Sequence, residues 1–517
     1  MRINVIGGGP AGLYFAILAK KQDPACEVRV FERDGPEDTF GWGIVFSERT
    51  YLLLREADPE THRDIAAASE TWDSVDTVHR GETISVHGNG FSGIARLAFL
   101  QILHRRCRAL GVDLRFRAPV NEVKEVDDGD LLLGADGASS LVRRAFAERF
   151  LPSVDLRPNR YVWLGTPRRF EGLTMIFRES GAGLFIAHAY RFRPALSTFI
   201  VECGPETWRR AGFEGMSDPE TCGYLADVFA DDLAGQPLLS NNFLRWLNFP
   251  LVKTRRWHHG HAVLVGDAAH TAHFSIGSGT KLALEDAIAL ARALGEHGAV
   301  GPALPAYERQ RKPAVDAFQE AALASLTWLE GAESELHLSP LPFTYRLQTR
   351  SRRVGLARLR QRDPAFAERY EQWRRRRRRA TDGPIPPEFL DLFDKPAHAH
   401  LATTMPDGTP QVSPVWVDYD GRHILINSAA GRRKDVNMAQ RPWVALEIAD
   451  PESPNRYLAV RGPVVEISED GAEEHLDRLA RRYLGRDRYP DNWRFPGEVR
   501  RIYRIEPRHV RTWDPFG

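Results

Sequence analysis

Three glycines, at positions 7, 9 and 12 of Gly7-Gly8-Gly9-Pro10-Ala11-Gly12, lie between an apolar run (Ile3 to Ile6) and a helical pattern (Leu13 to Lys20). At this spacing the first glycine permits a tight turn, the second lets backbone approach a pyrophosphate, and the third lets the helix pack closely on the strand. The helix N-terminus adds N–H donors and partial positive charge. A second apolar stretch, Glu27 to Phe31, ends in Glu32-Arg33. Glu32 lies about 20 residues beyond Gly12, where a carboxylate can accept hydrogen bonds from an adenosine ribose. Together these residues specify a dinucleotide site. A second match to the glycine spacing, Gly88-Asn89-Gly90-Phe91-Ser92-Gly93, follows the β-like Thr83 to Val86 and precedes an expected helix from Ile94 to Cys107. No acidic residue closes a second strand at the right distance, so this segment is expected to deliver Arg96 to the first site.

Two later apolar runs also end in Gly and Asp. Leu131 to Leu133 lead into Gly134-Ala135-Asp136-Gly137, and Ala262 to Val265 lead into Gly266-Asp267-Ala268-Ala269-His270. In this order the three motifs resemble the aromatic hydroxylase family of single-component flavin monooxygenases, over residues 1 to 330. The resemblance implies that the dinucleotide is FAD, that Asp267 holds its ribitol chain, and that Asp136 serves both FAD and NADPH or NADH. Asp136 is equally placed to cap the helix that follows it, and His270 reads as a satisfied core histidine.

Where that family carries a proline pair and then an asparagine, this sequence has His273-Phe274 and Thr280-Lys281. With Gly41-Trp42-Gly43, Phe185-Ile186-Ala187-His188-Ala189-Tyr190 and Ser197 to Cys203, the departure is similar to the branch that hydroxylates salicylyl-CoA, anthraniloyl-CoA and a tryptophan-derived substrate. Tyr345 to Val354 and Arg362 to Phe366 resemble the aryl-CoA members. The resemblance implies an aromatic substrate, in thioester form, hydroxylated with O2. It implies Trp42, Gly43 and Gly277 at the cofactor, Trp163 and Phe274 at the substrate, and His188, Tyr190 and His273 as catalytic candidates. Imidazole titrates near neutral pH, so His188 or His273 suits orienting or deprotonating a phenol or aniline; a packed aromatic wall with hydrogen-bonded histidines is the other reading. A free amino-acid-derived or carrier-tethered aromatic is the alternative substrate.

The run Arg374 to Arg379 offers guanidinium groups to a CoA phosphate or a nucleic acid. Before Thr381-Asp382-Gly383-Pro384, it reads foremost as a solvated helix end and linker. Beyond it, short β runs are joined by turns at Asp407-Gly408 and Asp420-Gly421, the pattern of a six-stranded or similar barrel. Leu401-Ala402-Thr403, Pro406 to Trp416 and Gly431 to Asn437 resemble the pyridoxamine-phosphate-oxidase-like split barrel across residues 386 to 514. That resemblance implies a second cofactor, F420 or FMN, held by Ser413, Trp416, Arg432, Lys434 and Asn437, and a homodimer. The barrel is then a reductase for the oxygenated product, or a dimerisation and binding module without turnover.

The elements that must position these residues follow. An α/β Rossmann-like FAD domain is expected over 1–145 and 255–330, a β-sheet substrate domain over 146–254, a helical extension and linker over 331–383, and an all-β split barrel over 384–517. The 517 residues are ample for several cores, and 70 Lys and Arg against 69 Asp and Glu give no global field for nucleic acid or membrane. Four scattered cysteines supply neither a disulfide framework nor a metal ligand set. With no leader pattern and no apolar stretch near the ~20 residues that span a bilayer, a cytoplasmic protein is expected.

Overall fold

The computed structural model describes the chain except Phe40, 242–243, Ser278, 380–383 and 515–517, together with the side chains of 375–379. The arginine run of the sequence reading falls largely on those side chains, outside the described residues. Two compact units result, 1–366 and 367–517.

In the first unit, strand Arg2–Ile6 pairs in parallel with Glu27–Phe31 on one side and Leu131–Gly134 on the other. Ala262–Leu264 continues the parallel sheet beyond Leu131–Gly134, Asp113–Arg115 adds to the far edge, and His258–His259 completes a six-stranded order. Helices Pro10–Gln22 and Gly279–His297 pack against each other, and Leu13, Phe15, Ile17, Leu284 and Leu290 are fully buried or nearly so. A sheet covered this way has continuous apolar strands, as Leu131-Leu132-Leu133 shows; each such side chain contributes about 1.5–3 kcal/mol on burial.

A second, seven-stranded sheet runs in the order Leu247–Thr254, Pro152–Thr166, Leu196–Cys203, Gly183–Arg193, Leu173–Ser180, Val75–His79, Glu82–Val86. Its last two strands come from the segment assigned to the FAD domain: Val75–His79 pairs in parallel with Leu173–Ser180, a long-range pairing that local periodicity does not carry. The faces alternate. Val162, Leu164, Phe185, Ala187, Phe199 and Val201 share one core with Phe213, Leu225 and Phe229, while Trp163, His188 and Ile200 lie in one row on the other face. Residues 331–366 belong to this unit, with Phe343 and Leu347 buried against Met175, Phe177 and Ile186.

The second glycine match is not a dinucleotide loop. Gly88 and Gly90 turn the chain between Glu82–Val86 and Phe91–Ala95, Gly93 lies within a strand opposite Val45, and the expected helix starts only at Arg96 (Arg96–Ala109).

Among its described residues the second unit holds eight strands, against the six-stranded or similar barrel expected. Their order is Pro410–Val415, Ala399–Thr404, Trp443–Asp450, Ser453–Ser468, Arg500–Ile505, Ile424–Ala429, Val417–Tyr419, with His509–Trp513 also paired on Ser453–Ser468. The extra strands arise because Val415 and Val417 fall on different strands and the terminal His509–Trp513 joins the barrel. Leu401, Ile426, Ile448, Leu458 and Ile505 fill its core. Among the described residues no helix is long and apolar enough to cross a membrane.

Candidate active site

Register fixes the cofactor end of the site. Ile6 is opposite both Phe31 and Gly134, and Gly134 is opposite Leu264. Gly7, Glu32, Asp136 and Asp267 therefore leave the sheet together just beyond the carboxyl ends of four parallel strands, where sheets of this kind bind ligands. A cavity of about 760 Å³ opens there.

Each glycine has its own reason. A Cβ on Gly12 would lie 2.3 Å from the Gly7 carbonyl oxygen, and one on Gly7, at φ +108°, 2.4 Å from that of Ala135. Gly9, the N-cap of Pro10–Gln22, has nothing within 4 Å of its Cβ position, so its backbone is open to a ligand. Glu32 accepts from the Gly8 amide (2.7 Å) and the Asp34 amide (2.9 Å), which fixes its carboxylate at the cavity wall with Arg33 beside it. Asp136 does two things. One oxygen accepts from the Leu141 (2.5 Å) and Val142 amides, capping the following helix, while the other is buried without a hydrogen-bond partner among the described residues.

Arg96 reaches the same wall. Its backbone amide donates to Trp42 (2.9 Å), its Nε is buried without a partner among the described residues, and burial lowers its guanidinium despite the charges of Asp267 and Glu32. Asp267 lines the cavity with its side chain exposed to it; the surrounding protein raises its carboxyl by desolvation, with His270 and Arg96 opposing. His270 is held by Asp286 at 2.7 Å, a core histidine as expected. Unpaired Arg96 and Asp136 atoms beside a glycine cradle and a helix N-terminus fit the phosphates and sugars of FAD. Gly277 ends a short turn in the left-handed conformation (φ +60°) on the cavity wall.

The other end of the cavity is one face of the second sheet. Tyr161, Trp163, His188, Tyr190 and Ile200 line the cavity with Phe274, and Trp163 packs on Gly41 so closely that a Cβ there would lie 2.5 Å from the ring. Three expected residues have other surroundings. Trp42 does not line the cavity: it packs on Gly165 and Phe192. Tyr190 lines it, but its hydroxyl donates to the Gly43 carbonyl (2.7 Å). His273 lies behind Phe274, ring centroids 4.0 Å apart, and burial pushes it down to about 3, so it is neutral.

Glu202 was not singled out from sequence. It is 1% exposed and stands 3.3 Å from His188 and 3.7 Å from His273. Burial alone would raise its carboxyl, but the His188 hydrogen bond, the two imidazoles and Arg350 hold it below its ordinary value. The signal was a lone acid inside Ile200-Val201-Glu202-Cys203, since a buried carboxylate needs partners.

In the barrel, Arg432 immediately precedes helix Arg433–Gln440 and approaches Glu498 at 3.7 Å. Burial, Arg432 and Arg500 lower the Lys434 ammonium, so cations crowd there around one carboxylate, a setting that fits a phosphate. Trp416 stacks on Tyr483 at 5.0 Å, and the Ser413 hydroxyl is buried without a partner among the described residues. Asn437 departs from expectation. Fully buried, it donates to Thr403 Oγ1 (3.0 Å) and accepts from Arg441, tying helix to strand rather than facing a ligand. A hollow of about 360 Å³ in this unit is lined instead by Thr403, Trp443, Arg461 and His509.

Comparison with known proteins extends this geometry. The FAD binding domain family matches residues 111–322, and the pyridoxamine 5'-phosphate oxidase family matches 385–514. Over 400 residues the chain is 42% identical to salicyloyl-CoA 5-hydroxylase of a Streptomyces species, covering 75% of this chain and 76% of that one. The chain belongs to the FAD-dependent aromatic monooxygenases. This monooxygenase is also 35% identical over 355 residues (68% of this chain, 94% of the other) to protodeoxyviolaceinate monooxygenase of Chromobacterium violaceum. It is 38% identical over 328 residues (63% and 89%) to 3-hydroxy-4-methyl-anthranilyl-[aryl-carrier protein] 5-monooxygenase of Streptosporangium sibiricum. In fold it matches 2-methyl-3-hydroxypyridine-5-carboxylic acid oxygenase with a TM-score of 0.55 at 21% identity, over 68% of this chain and 98% of that one. The family and both folds inferred from the motifs therefore hold: an FAD-dependent monooxygenase of an aromatic substrate, with a C-terminal split barrel of the pyridoxamine 5'-phosphate oxidase type.

Proposed function

We propose that this monooxygenase hydroxylates the ring of an aryl-CoA thioester bearing a hydroxyl or amino group, with electrons from NADH or NADPH and the oxygen atom from O2. The observation that carries this reading is the 42% identity to a salicyloyl-CoA 5-hydroxylase over three quarters of each chain. Bound FAD supplies the redox and oxygen chemistry. The protein's task is to bind, orient and keep water out. Gly7, Gly9, Glu32, Arg96, Asp136 and Asp267 hold the dinucleotide; Trp163 and Phe274 confine the ring; His188, between them and buried Glu202, presents an imidazole to a ring substituent. A carrier-tethered aromatic is the second reading, favoured by the 38% relative that acts on an aryl-carrier protein.

The barrel is read as a second cofactor site, for FMN or F420, that reduces the oxygenated product, on the strength of the family match and the Arg432, Lys434 and Arg500 cluster. A homodimer is part of this reading. Turnover of salicyloyl-CoA under 18O2 should place one labelled oxygen on the ring; unlabelled product, or NAD(P)H consumption without product, contradicts the assignment. Cofactors extracted from the full chain should include FMN or F420 beside FAD, whereas FAD alone would leave the barrel as a dimerisation and binding module.

A further inference from the structure

The mechanism so far gives no task to the buried carboxylate beneath His188. Glu202 sits on Leu196–Cys203 with its Oε1 3.3 Å from His188 Nε2 and its Oε2 3.7 Å from His273 Nε2. An ionised carboxylate only accepts hydrogen bonds, so the proton between Glu202 and His188 belongs to His188 Nε2. His273 is fixed the same way from behind: the Ser275 amide donates to its Nδ1 (3.3 Å), leaving its proton on Nε2, towards Glu202. Arg350 is the nearest full cation, but its donors go to Ser325 Oγ, the Leu347 carbonyl and the Ser275 carbonyl. Arg157, farther off, is tied to Glu330 and Asp155. The carboxylate thus has two imidazoles beside it and a guanidinium whose hydrogen bonds go elsewhere. His188 lines the cavity, and with Nε2 engaged its Nδ1 keeps a lone pair and has no partner among the described residues. Which ring nitrogen carries the proton is set by the hydrogen bond the other makes.

We propose that Glu202 is a positioning residue that locks His188 as the Nε2–H tautomer, so that Nδ1 accepts the proton of a phenolic hydroxyl on the substrate ring. This rests on the reading of the cavity as an aromatic substrate site, and it separates phenols, which the site would deprotonate, from arylamines, which it would only orient. In the step, the substrate O–H bond breaks and an Nδ1–H bond forms. The electron pair stays on the phenolic oxygen, raising the electron density of the ring, and His188 becomes an imidazolium whose charge Glu202 offsets without itself taking a proton. The proton returns as the product leaves, and no oxidant is needed. An arylamine, whose N–H is far less acidic, would only donate a hydrogen bond at the same atom.

The test uses the FAD-loaded full chain. A downfield imidazole N–H signal in its proton NMR spectrum, assigned by its loss in His188→Gln, should move upfield in Glu202→Gln, whose neutral amide oxygen is the weaker acceptor, and stay in place in His273→Gln. In NAD(P)H-driven flavin reduction with salicyloyl-CoA, the acidic limb of the pH profile should move down by about 1–3 pH units in Glu202→Gln and largely return in Glu202→Asp. A signal that Glu202→Gln leaves unmoved overturns the proposal, as does a limb that stays in place. If Glu202→Gln loses FAD, Glu202→Asp carries the comparison: it leaves the signal in place if the carboxylate is responsible and moves it upfield if only the glutamate's packing matters. If no aryl ligand accelerates reduction, the substrate reading fails, while the N–H signal still decides the tautomer lock.

Discussion

Replacing Gly12 with alanine separates two jobs that glycines perform in the cofactor cradle. The added methyl would lie 2.3 Å from the Gly7 carbonyl oxygen, 3.0 Å from Val5 Cγ1 and 3.1 Å from Ala135 Cβ. Two of those atoms are backbone or stem, so helix Pro10–Gln22 must move off strand Arg2–Ile6 by about an ångström. Overpacking of this kind costs about 1–3 kcal/mol. Because it displaces the amides that face the pyrophosphate, the same strain should weaken FAD by about 5- to 150-fold, at 1.4 kcal/mol per tenfold. Gly9→Ala is the control: at φ −80° and with nothing within 4 Å, its methyl fits the protein and meets only the ligand. Apoprotein melting and FAD titration followed by flavin fluorescence should therefore show Gly12→Ala lowering both stability and affinity, and Gly9→Ala lowering affinity alone. Equal melting of Gly12→Ala and wild type, or a Gly9→Ala apoprotein as unstable as Gly12→Ala, would refute the argument.

Asp267→Asn should raise the melting temperature of the apoprotein at neutral pH while weakening FAD. Desolvation by the surrounding protein raises the Asp267 carboxyl in the folded state, so its contribution is fullest below the ordinary carboxylate range and lost as pH rises through the raised value; the gain should shrink as pH falls. Tyr190→Phe removes the hydroxyl bonded to the Gly43 carbonyl and should cost about 0.5–1.5 kcal/mol in denaturant unfolding, with ligand acceleration of flavin reduction retained. In the barrel, Asp450 is 4% exposed and accepts from Lys395, Arg456 and the Glu452 amide. These partners outweigh burial and lower its carboxyl. Its stabilisation is present above the ordinary carboxylate range and lost as pH falls through the lowered value, so Asp450→Ala should cost about 1–3 kcal/mol at neutral pH and flatten the acid limb of the barrel's unfolding transition.

The cofactor end was legible in the sequence because its chemistry is local. Gly7, Gly9 and Gly12 act within one turn, and Glu32, Asp136 and Asp267 each end an apolar run whose strand order follows from parallel pairing. What sequence reading missed depends on pairing across long separations. Val75–His79 joins the second sheet only through a partner about a hundred positions later in the chain, and nothing in its own periodicity says so. His188, Trp163 and Phe274 stand out by their motifs and line one cavity, but the carboxylate behind His188 does not stand out, because Glu202 meets it only when three strands bring Trp163, Ile200 and His188 into one row. Trp42 and Asn437 misled for the opposite reason: each sits in a functional-looking motif, yet packing on Gly165 and bonding to Thr403 account for them.

Anaerobic reduction of the bound FAD by NADPH and NADH, followed by stopped-flow absorbance, tests the central claim most directly. The rate should rise when salicyloyl-CoA or anthraniloyl-CoA is present and stay at its basal value with the free acids, as a site built for an aromatic thioester requires. A rate that none of these ligands changes, or that the free acids raise as much as the thioesters, would contradict the aryl-CoA assignment and point to an amino-acid-derived or carrier-tethered ring.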